Sequence, residues 1–536
     1  MRKYTATRCA ILSLVTMLLA VAIAPNAAAQ TGTIPVVRQR IVIYDQNGGV
    51  TMGPDTATLP LTVASGQHFA GNRSLAARGG RFVQVYHSNP SGVNTVFFRS
   101  CSNGRDWSAP VRVSDPRFEK ECFHASIRFL GRANVTNRLA VTYVSHDDAT
   151  KQDTLWGTFS NDAGATWAPS VLVGAHPDAT SIISTLTGIG DTLYSVWTRS
   201  TSGNSWDNTF LSRSRDGGQT WDSTIIAYAG LQFSFYSHAV AGASGRVWIV
   251  TGDDQFGKTN AKISRSTNGG GGWNALGNIN SESGLTAPLN MIFYPHLERG
   301  SSNTIYSVWS DNREGQSNIY FSRSDNNGTN WTPHLRVNGS DSLSPAQNDG
   351  GVAGARRPAI LLSGLGRLYV VWADDRQHPS NVEAERNRDI YVAQSTDDGE
   401  TWSSSVRVND APQVLGQESP AFAIHSTGTT DSLLITWNDM RGTLSAAPDE
   451  RAVMSPAGLS INSVGSDRIS LEIAPALAGS RLVVTLVDPL GRAVARLFEG
   501  AAPAGSIPLP VAMQAGVYFI EARIGDGRVV EKVVVW

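Results

Sequence analysis

The sequence is poor in cysteine. Only 3 of its 536 residues are cysteines, and Cys9 lies inside an apolar leader that export would remove. The other two, Cys101 and Cys122, can pair in an oxidising compartment. However, Cys101 lies in a predicted turn and Cys122 opens the next strand, whereas a disulfide needs Cα atoms within about 7 Å. Free thiols are therefore favoured, and the pairing stays open.

Three other features are missing. The 44 Lys and Arg residues balance 45 Asp and Glu, so no basic surplus points to nucleic acid as a partner. Beyond the leader, no apolar run is long enough to span a bilayer. Helical hydrophobic periodicity is also absent there, while 52 Gly and 14 Trp fit many short strands and turns. These absences disfavour nucleic-acid-binding and membrane-spanning classes and favour an all-β chain.

The first 29 residues have the pattern of a secretory signal. Basic residues at Arg2, Lys3 and Arg8 precede an apolar stretch, and the small residues Ala27 to Ala29 follow it. Residues 1–29 are therefore predicted to be a cleaved signal peptide. An uncleaved anchor is the alternative.

What the sequence does contain is a repeated turn motif, Ser-x-Asp-x-Gly-x-Thr-Trp. Its closing Trp recurs at intervals of 52 to 71 residues, a period typical of β-propellers and related arrays. Gly supplies the positive φ of a tight turn, and the Asp side chain bonds to nearby backbone N–H groups. The Trp offers an apolar face that we expect to pack beside its own hairpin or the next blade. The six copies begin at Ser100, Ser160, Ser214, Ser266, Ser324 and Ser395.

The motif resembles the Asp box, or BNR repeat, of the sialidase-like propellers. The resemblance covers residues 35–455, and it implies that each box lies between the third and fourth strands of a blade, away from the ligand pocket. It therefore indicates the fold far better than the activity.

A second phrase precedes the boxes: an apolar strand that ends in a polar turn. It occurs seven times, near Tyr86, Tyr143, Trp197, Thr251, Trp309, Trp372 and Trp437. Seven phrases against six boxes favour a seven-bladed ring, in which the alternating segment Val36 to Tyr44 completes the last blade and removes an open sheet edge. Six blades, as in sialidases, are the alternative.

Residues 456–536 have a different pattern, with alternating strands that predict a small Ig-like β-sandwich. Gly516-Val517-Tyr518-Phe519 and the Val-rich final strand resemble the type A sorting domain of the bacterial type IX secretion system. That resemblance implies export through the periplasm to the surface or medium of a Gram-negative bacterium, with the secretion machinery as a partner. An adhesive Ig-like or fibronectin-like module is the alternative.

The sialidase family uses three Arg residues for the substrate carboxylate, a Tyr nucleophile activated by Glu, and an Asp acid. The family's Arg-Ile-Pro phrase is absent from the first blade, so its catalytic residues do not transfer individually. The starts of the inner strands nevertheless offer candidates around one rim. The catalytic candidates are Tyr236, Tyr294, Glu121 and Glu418; the substrate-binding candidates are Arg73, Arg356, Arg357, His124 and His238.

Other polar residues fit structural roles better. The phrase Trp-x-Asp-x-Arg recurs at Asp311 and Asp374, and such repetition indicates that each Asp caps a turn and each Arg pairs locally. His124, His238 and His296 lack close ligand spacing, so no metal is expected, and no cofactor is expected either.

Three functions remain. We favour an exported propeller that recognises a glycan or glycoprotein. The alternatives are an exo-glycosidase of sialidase type acting on terminal acidic sugars, and a protein-interaction scaffold.

Overall fold

The structure, a computed structural model, describes the chain between residues 36 and 535 with gaps. Residues 1–29, where the sequence predicts a signal peptide, lie outside the described part. Within it the residues form strands, with a 3-10 turn at Ala243–Gly245 and no α-helix. The described residues are 36–60, 74–88, 93–118, 121–176, 179, 181–200, 206–222, 225–228, 234–255, 258–280, 292–311, 313, 317–339, 356–374, 376, 388–410, 417–439, 459–464, 468–473, 478–487, 493–510, 516–524 and 527–535.

The chain divides into two compact units. The first comprises Met1–Asp55 and Leu61–Gly442, and the second comprises Thr56–Pro60 and Thr443–Trp536. The domain boundary predicted at residue 455 falls in 440–458, outside the described residues.

Antiparallel sheets build the first unit, and in sheets 1 to 6 the strands follow one another along the chain. Three strands open the described chain: β1 (Val36–Tyr44), β2 (Val50–Met52) and β3 (Thr56–Pro60). Sheet 1 contains β4 (Leu75–Arg78), β5 (Arg81–Ser88), β6 (Thr95–Cys101) and β7 (Val111–Arg112). Sheet 2 contains β8 (Glu121–Phe129), β9 (Leu139–Asp147), β10 (Gln152–Ser160) and β11 (Val171–Ala175). Sheet 3 contains β12 (Ser181–Ile189), β13 (Thr192–Ser200), β14 (Trp206–Ser214) and β15 (Ile225–Tyr228).

The pattern continues through the next sheets. Sheet 4 contains β16 (Ser234–Ala241), β17 (Val247–Gln255), β18 (Lys258–Ser266) and β19 (Asn274–Asn278). Sheet 5 contains β20 (Ile292–Arg299), β21 (Ile305–Asp311), β22 (Asn318–Ser324) and β23 (Leu335–Arg336). Sheet 6 contains β24 (Arg356–Leu362), β25 (Leu368–Asp374), β26 (Asp389–Ser395) and β27 (Val406–Arg407). Sheet 7 joins β28 (Gln417–Thr427) and β29 (Thr430–Asp439) to β1 and β2.

The sheets pack around a closed ring. Their first strands, β4, β8, β12, β16, β20, β24 and β28, contact one another in that order, and β28 contacts β4. The strand from the start of the chain closes sheet 7, since β1 pairs with β29 from Val36↔Asp439 to Tyr44↔Asp431. The predicted all-β propeller class is confirmed. The described sheets of this unit number seven, as many as the repeated inner phrases.

The turn motif has one hydrogen-bond pattern in five of its six copies. In the copy at Ser160, the Gly164 N–H donates to Ser160 Oγ at 2.8 Å, and the Thr166 N–H donates to Asp162 Oδ1 at 2.9 Å. The bond from the Thr166 hydroxyl lowers the pKa of Asp162 to about 2. The motif lies between the third and fourth strands of its sheet. The hydrogen bond from the Gly N–H to the Ser Oγ recurs in the copies at Ser214, Ser266, Ser324 and Ser395.

Motif tryptophans contact the preceding sheet as well as their own hairpin, where the Trp331 indole N–H donates to the Gly328 carbonyl at 3.1 Å. Trp167, after sheet 2's third strand, lies 5.5 Å from Phe98 of sheet 1, measured between ring centroids. Trp402 of sheet 6 lies 5.2 Å from Phe321 of sheet 5 in the same way. The motif thus ties neighbouring sheets together and is part of the core.

The first copy of the motif differs from the rest. Ser102 stands where the other copies have Asp or Asn, and Asn103 Oδ1 accepts the backbone N–H groups of Arg105 and Asp106. The closing strand compensates, because Gln39 donates to the Gly104 carbonyl at 2.8 Å and accepts the Trp107 indole N–H at 2.6 Å.

Both remaining cysteines are buried free thiols. Cys101 packs with residues of sheets 7 and 1, whereas Cys122 packs in the cluster between sheets 1 and 2. Burial raises the pKa of Cys101 to about 11 and that of Cys122 to about 12.

The second unit contains two antiparallel sheets. One orders its strands β30 (Leu459–Val464), β31 (Arg468–Ile473) and β34 (Gly505–Pro510). The other orders them β33 (Ala493–Ala501), β32 (Arg481–Val487), β35 (Gly516–Ile524) and β36 (Gly527–Val535). These strands coincide closely with the alternating segments of the sequence, and the Ig-like topology stays a prediction.

Candidate functional site

The turn motifs and those predicted site residues that the structure describes lie on opposite rims of the first unit. In an antiparallel sheet, the start of the first strand meets the end of the second strand, and the third strand runs back from there. Each motif follows a third strand and therefore lies at the far rim. The rim formed by the starts of the first strands is called the inner-strand rim below.

Five first strands carry a β-bulge near this rim. The pairing with the second strand shifts between Phe123 and Ser126 in sheet 2, and between Phe293 and His296 in sheet 5. Equivalent shifts occur in sheets 4, 6 and 7. The first residues inside the five bulges are His124, Tyr236, Tyr294, Arg357 and Ser419. A β-bulge changes the direction of a side chain relative to the regular strand. The same backbone irregularity therefore recurs near the rim in five first strands.

Three of these residues have the same unusual backbone conformation. The φ angle is 51° at His124, 54° at Tyr294 and 53° at Arg357. Positive φ is uncommon outside glycine, and it costs about 1–3 kcal/mol, which surrounding structure must offset. Such strain concentrates where binding needs a particular side-chain direction.

Tyr294 and Arg357 come together from neighbouring sheets. The Arg357 guanidinium carbon lies 5.3 Å from the centroid of the Tyr294 ring, within cation–π range. Both side chains are half-buried, so part of each faces solvent at the rim. An arginine fork over a phenol ring is a suitable surface for a ligand that carries both hydroxyl and acidic groups.

His238, predicted to bind substrate, is buried in the packing between first strands. Its Nδ1 accepts the Leu297 backbone N–H at 3.2 Å, and the His238 and His296 rings stack with centroids 3.6 Å apart. His296 Nδ1 accepts the Ile360 N–H in the same way at 3.5 Å. A histidine that accepts through Nδ1 carries its proton on Nε2. These two histidines therefore join sheets 4, 5 and 6 beneath the bulges.

The structure describes the other predicted residues to different extents: some with their side chains, some by their backbone alone and one not at all. Glu121 accepts hydrogen bonds from the backbone and side chain of Asn94 on sheet 1, and no Tyr–Glu pair occurs among the described side chains. Tyr236, Arg356 and Glu418 lie on described strands at the rim, but their side chains are outside the described set. Arg73 lies outside the described residues altogether.

The repeated Asp and Arg residues of the second phrase pair locally, as predicted. Arg313 Nε donates to Asp311 at 2.9 Å, and Arg376 Nε donates to Asp374 at 2.9 Å. In sheet 7 the closing strand supplies the partner, since Arg38 lies 2.7 Å from Asp439. These pairs neutralise their own charges and fix the turns.

No group of three or more His, Cys, Asp or Glu side chains in the described part of the chain has the arrangement of a metal centre. No described helix is long and apolar enough to cross a membrane.

Known family models include none that matches this sequence, and a search of curated proteins finds no relative. Solved structures do show similarity. A mutant of the Aleuria aurantia lectin bound to Fucα1-6GlcNAc is 11% identical over 63% of this chain and 96% of its own, with a TM-score of 0.38. The Hadza microbial sialidase Hz136 is 14% identical over 78% and 92%, with a TM-score of 0.37. A mutant of the NanB sialidase from Streptococcus pneumoniae is 10% identical over 65% and 62%, with a TM-score of 0.32. Similarity this distant says nothing about the ligand of this chain.

Sequence reasoning gathered four of the five bulge residues at one rim but missed the bulges themselves. A signal was present, because Pro295, Pro358 and Pro420 directly follow Tyr294, Arg357 and Ser419. Proline cannot donate to a ladder and is confined to edges, strand starts and bulges. The pairing of His146 with Asp153 was not predicted from the sequence either, because it depends on which residues of two adjacent strands lie opposite each other.

Proposed function

We propose that this protein recognises a glycan at the inner-strand rim. The observation that carries the proposal is the series of bulges, which present His124, Tyr236, Tyr294, Arg357 and Ser419 at equivalent places around the ring. A scaffold does not need left-handed backbone at three equivalent non-glycine residues, whereas a binding rim gains defined side-chain directions from it.

The chemistry of these residues fits a sugar with an acidic substituent. The Tyr294 ring supplies an apolar face and a hydroxyl, and Arg357 supplies paired N–H donors for a carboxylate or sulfate. The exo-glycosidase alternative in its sialidase form requires a Tyr–Glu pair, and the side chains of the candidates Tyr236 and Glu418 lie outside the described set. Because the contact between Tyr294 and Arg357 offers groups that can bind such a sugar, recognition is the function we put forward.

The test is binding of the full chain to an array of neutral, sialylated, uronate-containing and sulfated glycans. The best-bound soluble oligosaccharide is then titrated by calorimetry against the wild type and Arg357→Ala. We expect the affinity to fall at least about 10-fold in the variant, because a charge-assisted hydrogen bond contributes about 1.5–3 kcal/mol.

The matched control is Arg105→Ala, which removes an exposed arginine from the turn motif on the far rim. It should leave the affinity unchanged. Equal loss in both variants would place binding elsewhere, and a failure to bind any glycan on the array would reject the proposed function.

We also propose that residues 456–536 direct export of the propeller to the cell surface or medium through the type IX machinery. The regular strand and turn pattern, with the Val-rich β36 (Gly527–Val535) as the last strand, supports this proposal. Removal of 456–536 in a host with this secretion system should trap the protein in the periplasm, as measured by cell fractionation. Unchanged surface or medium levels would contradict it.

A further inference from the structure

His146 lies at the same rim, between two acidic residues. It is the next-to-last residue of β9 in sheet 2, where its Cα partners are Glu121 on one side and Asp153 on the other. His146 Nδ1 lies 2.7 Å from Asp153 Oδ1, and its Nε2 lies 3.9 Å from Asp148 Oδ1. The His146 side chain is 23% exposed, whereas that of Asp153 is 2% exposed. One ring nitrogen is therefore anchored inside, and the ring still reaches solvent.

Asp153 is held firmly in place. Its second carboxylate oxygen accepts the Ile182 N–H at 2.9 Å, and its backbone N–H donates to the Ala179 carbonyl. A buried carboxylate bonded to Nδ1 fixes the imidazole tautomer and stabilises the imidazolium. The pair thus has the geometry of an oriented proton donor and acceptor.

The repeating structure of the ring does not explain this pair. In sheets 5 and 6 the second strand ends at Asp311 and Asp374, which pair across with Asn318 and Asp389. Asn318 and Asp389 lie at the same distance before the Ser that begins the turn motif of their sheet. In sheet 2, the residue at that distance before the motif pairs with Ser145. The strands of sheet 2 continue past it and bring His146 opposite Asp153. A feature required for each blade recurs, whereas this pair does not recur in sheets 5 and 6.

The surrounding charges favour a protonated ring. The hydrogen bond to Asp153 raises the pKa of His146 and the charge of Asp148 adds to the effect, while partial burial and, to a smaller extent, Lys151 oppose it. Glu121 of β8 lies across the strand pair from His146, and the Asn94 side chain donates a hydrogen bond to its carboxylate. A raised pKa favours the imidazolium, which is the form that can donate a proton as a general acid.

We propose that His146, oriented by Asp153, is a general acid for hydrolysis of a glycosidic bond in the sugar bound at the inner-strand rim. The proposal rests on the glycan recognition proposed above and assigns the catalytic role to a residue outside a Tyr–Glu pair. Asp153 is a positioning residue.

The step is a hydrolysis with water as the nucleophile. The oxygen of a water molecule bonds to the anomeric carbon as the bond from that carbon to the leaving oxygen breaks. The proton on His146 Nε2 passes to the leaving oxygen, and the Glu121 carboxylate takes the proton that the attacking water loses. Transfer of that proton back to Nε2 through solvent restores both groups.

The experiment measures release of 4-methylumbelliferone by the full chain from its sialoside, glucuronide, galactoside, fucoside and N-acetylglucosaminide. On whichever probe is cleaved, we expect His146→Gln to lower kcat/KM at least about 100-fold, the scale of a lost general acid. Asp153→Asn should move the alkaline limb of the pH–rate profile to lower pH, because the neighbouring carboxylate no longer favours the imidazolium. NMR titration of the His146 ring should show the same downward shift of its pKa.

The control is His425→Gln, a half-buried histidine near the far end of β28 that contacts Thr427. It should keep the wild-type rate. Retained activity in His146→Gln overturns the proposal, and so does an ordinary, unraised His146 pKa in the wild type. If the array shows binding but none of the five probes is cleaved, hydrolysis is rejected and recognition stands. If neither binding nor cleavage occurs, both proposals fail.

Discussion

Val42→Asp is expected to prevent the propeller unit from folding stably. Val42 and Tyr44 of β1 are 0% and 1% exposed, in a cluster with Tyr369 and Trp437. The variant removes apolar burial worth about 1.5–3 kcal/mol and leaves an unpaired charge in the core. A total of about 5 kcal/mol or more is comparable with the whole stability of an ordinary domain.

The loss reaches beyond one side chain because β1 closes the ring. Without its nine-residue ladder, β29 presents an open sheet edge, and Gln39 no longer supports the first turn motif. Arg38 also ceases to neutralise the buried Asp439. We expect no cooperative urea transition and strong binding of a hydrophobic dye to the full-length variant.

The matched control for this prediction is Val50→Asp in β2, the strand that pairs with β1. Val50 is 39% exposed, so a carboxylate there stays hydrated and the transition should remain within about 0.5 kcal/mol of wild type. A normal transition in Val42→Asp would show that the closing strand is dispensable.

The second large effect is expected for Gly399→Ala in the turn motif of sheet 6. Gly399 has a φ of +88°, and a Cβ built on it would lie 2.2 Å from ring atoms of Phe321. The variant therefore suffers backbone strain of about 1–2 kcal/mol and overpacking of about 1–3 kcal/mol. The free energy of unfolding, measured by urea titration, should fall by about 2–5 kcal/mol.

Gly366→Ala separates the two causes. Its φ is +77°, but nothing lies within 4 Å of the added Cβ, so it should show the strain alone. The difference between the two variants measures the contact with Phe321, and Phe321→Leu should recover part of it in a double-mutant cycle. Equal losses of unfolding free energy in Gly399→Ala and Gly366→Ala would mean that close packing of the turn motif against Phe321 does not contribute to stability.

The turn motifs show how far local chemistry determines the fold. Ser160, Asp162 and Gly164 bond within a few residues of one another, so their effect could be read directly from the sequence. The side on which Trp167 packs could not be read, because it depends on the direction in which one sheet follows another. The sequence predicted packing beside its own hairpin or the next blade, and the structure adds the contact of Trp167 with Phe98 of the preceding sheet.

The candidate site was predictable in its residue types and not in its arrangement. The sequence places Tyr294 and Arg357 at the starts of two inner strands. Because the strands of each blade are antiparallel, the starts of all inner strands lie at one rim. The contact between Tyr294 and Arg357 depends on bulges in two separate sheets, and the His146–Asp153 pair depends on two strands that extend past the usual turn. No local pattern encodes the first contact, and the second depends on the register of the β9–β10 hairpin.

By itself, the sequence determined the all-β propeller class, the strand segments and the rim on which its polar residues lie. Turn formation and alternating burial need only neighbouring residues, so spacing along the chain is enough to specify them. The tertiary structure decided which polar groups meet, through ring closure by β1 and the positions of the bulges. The contact between Tyr294 and Arg357 joins residues from different sheets, and its geometry is set only when the sheets have packed.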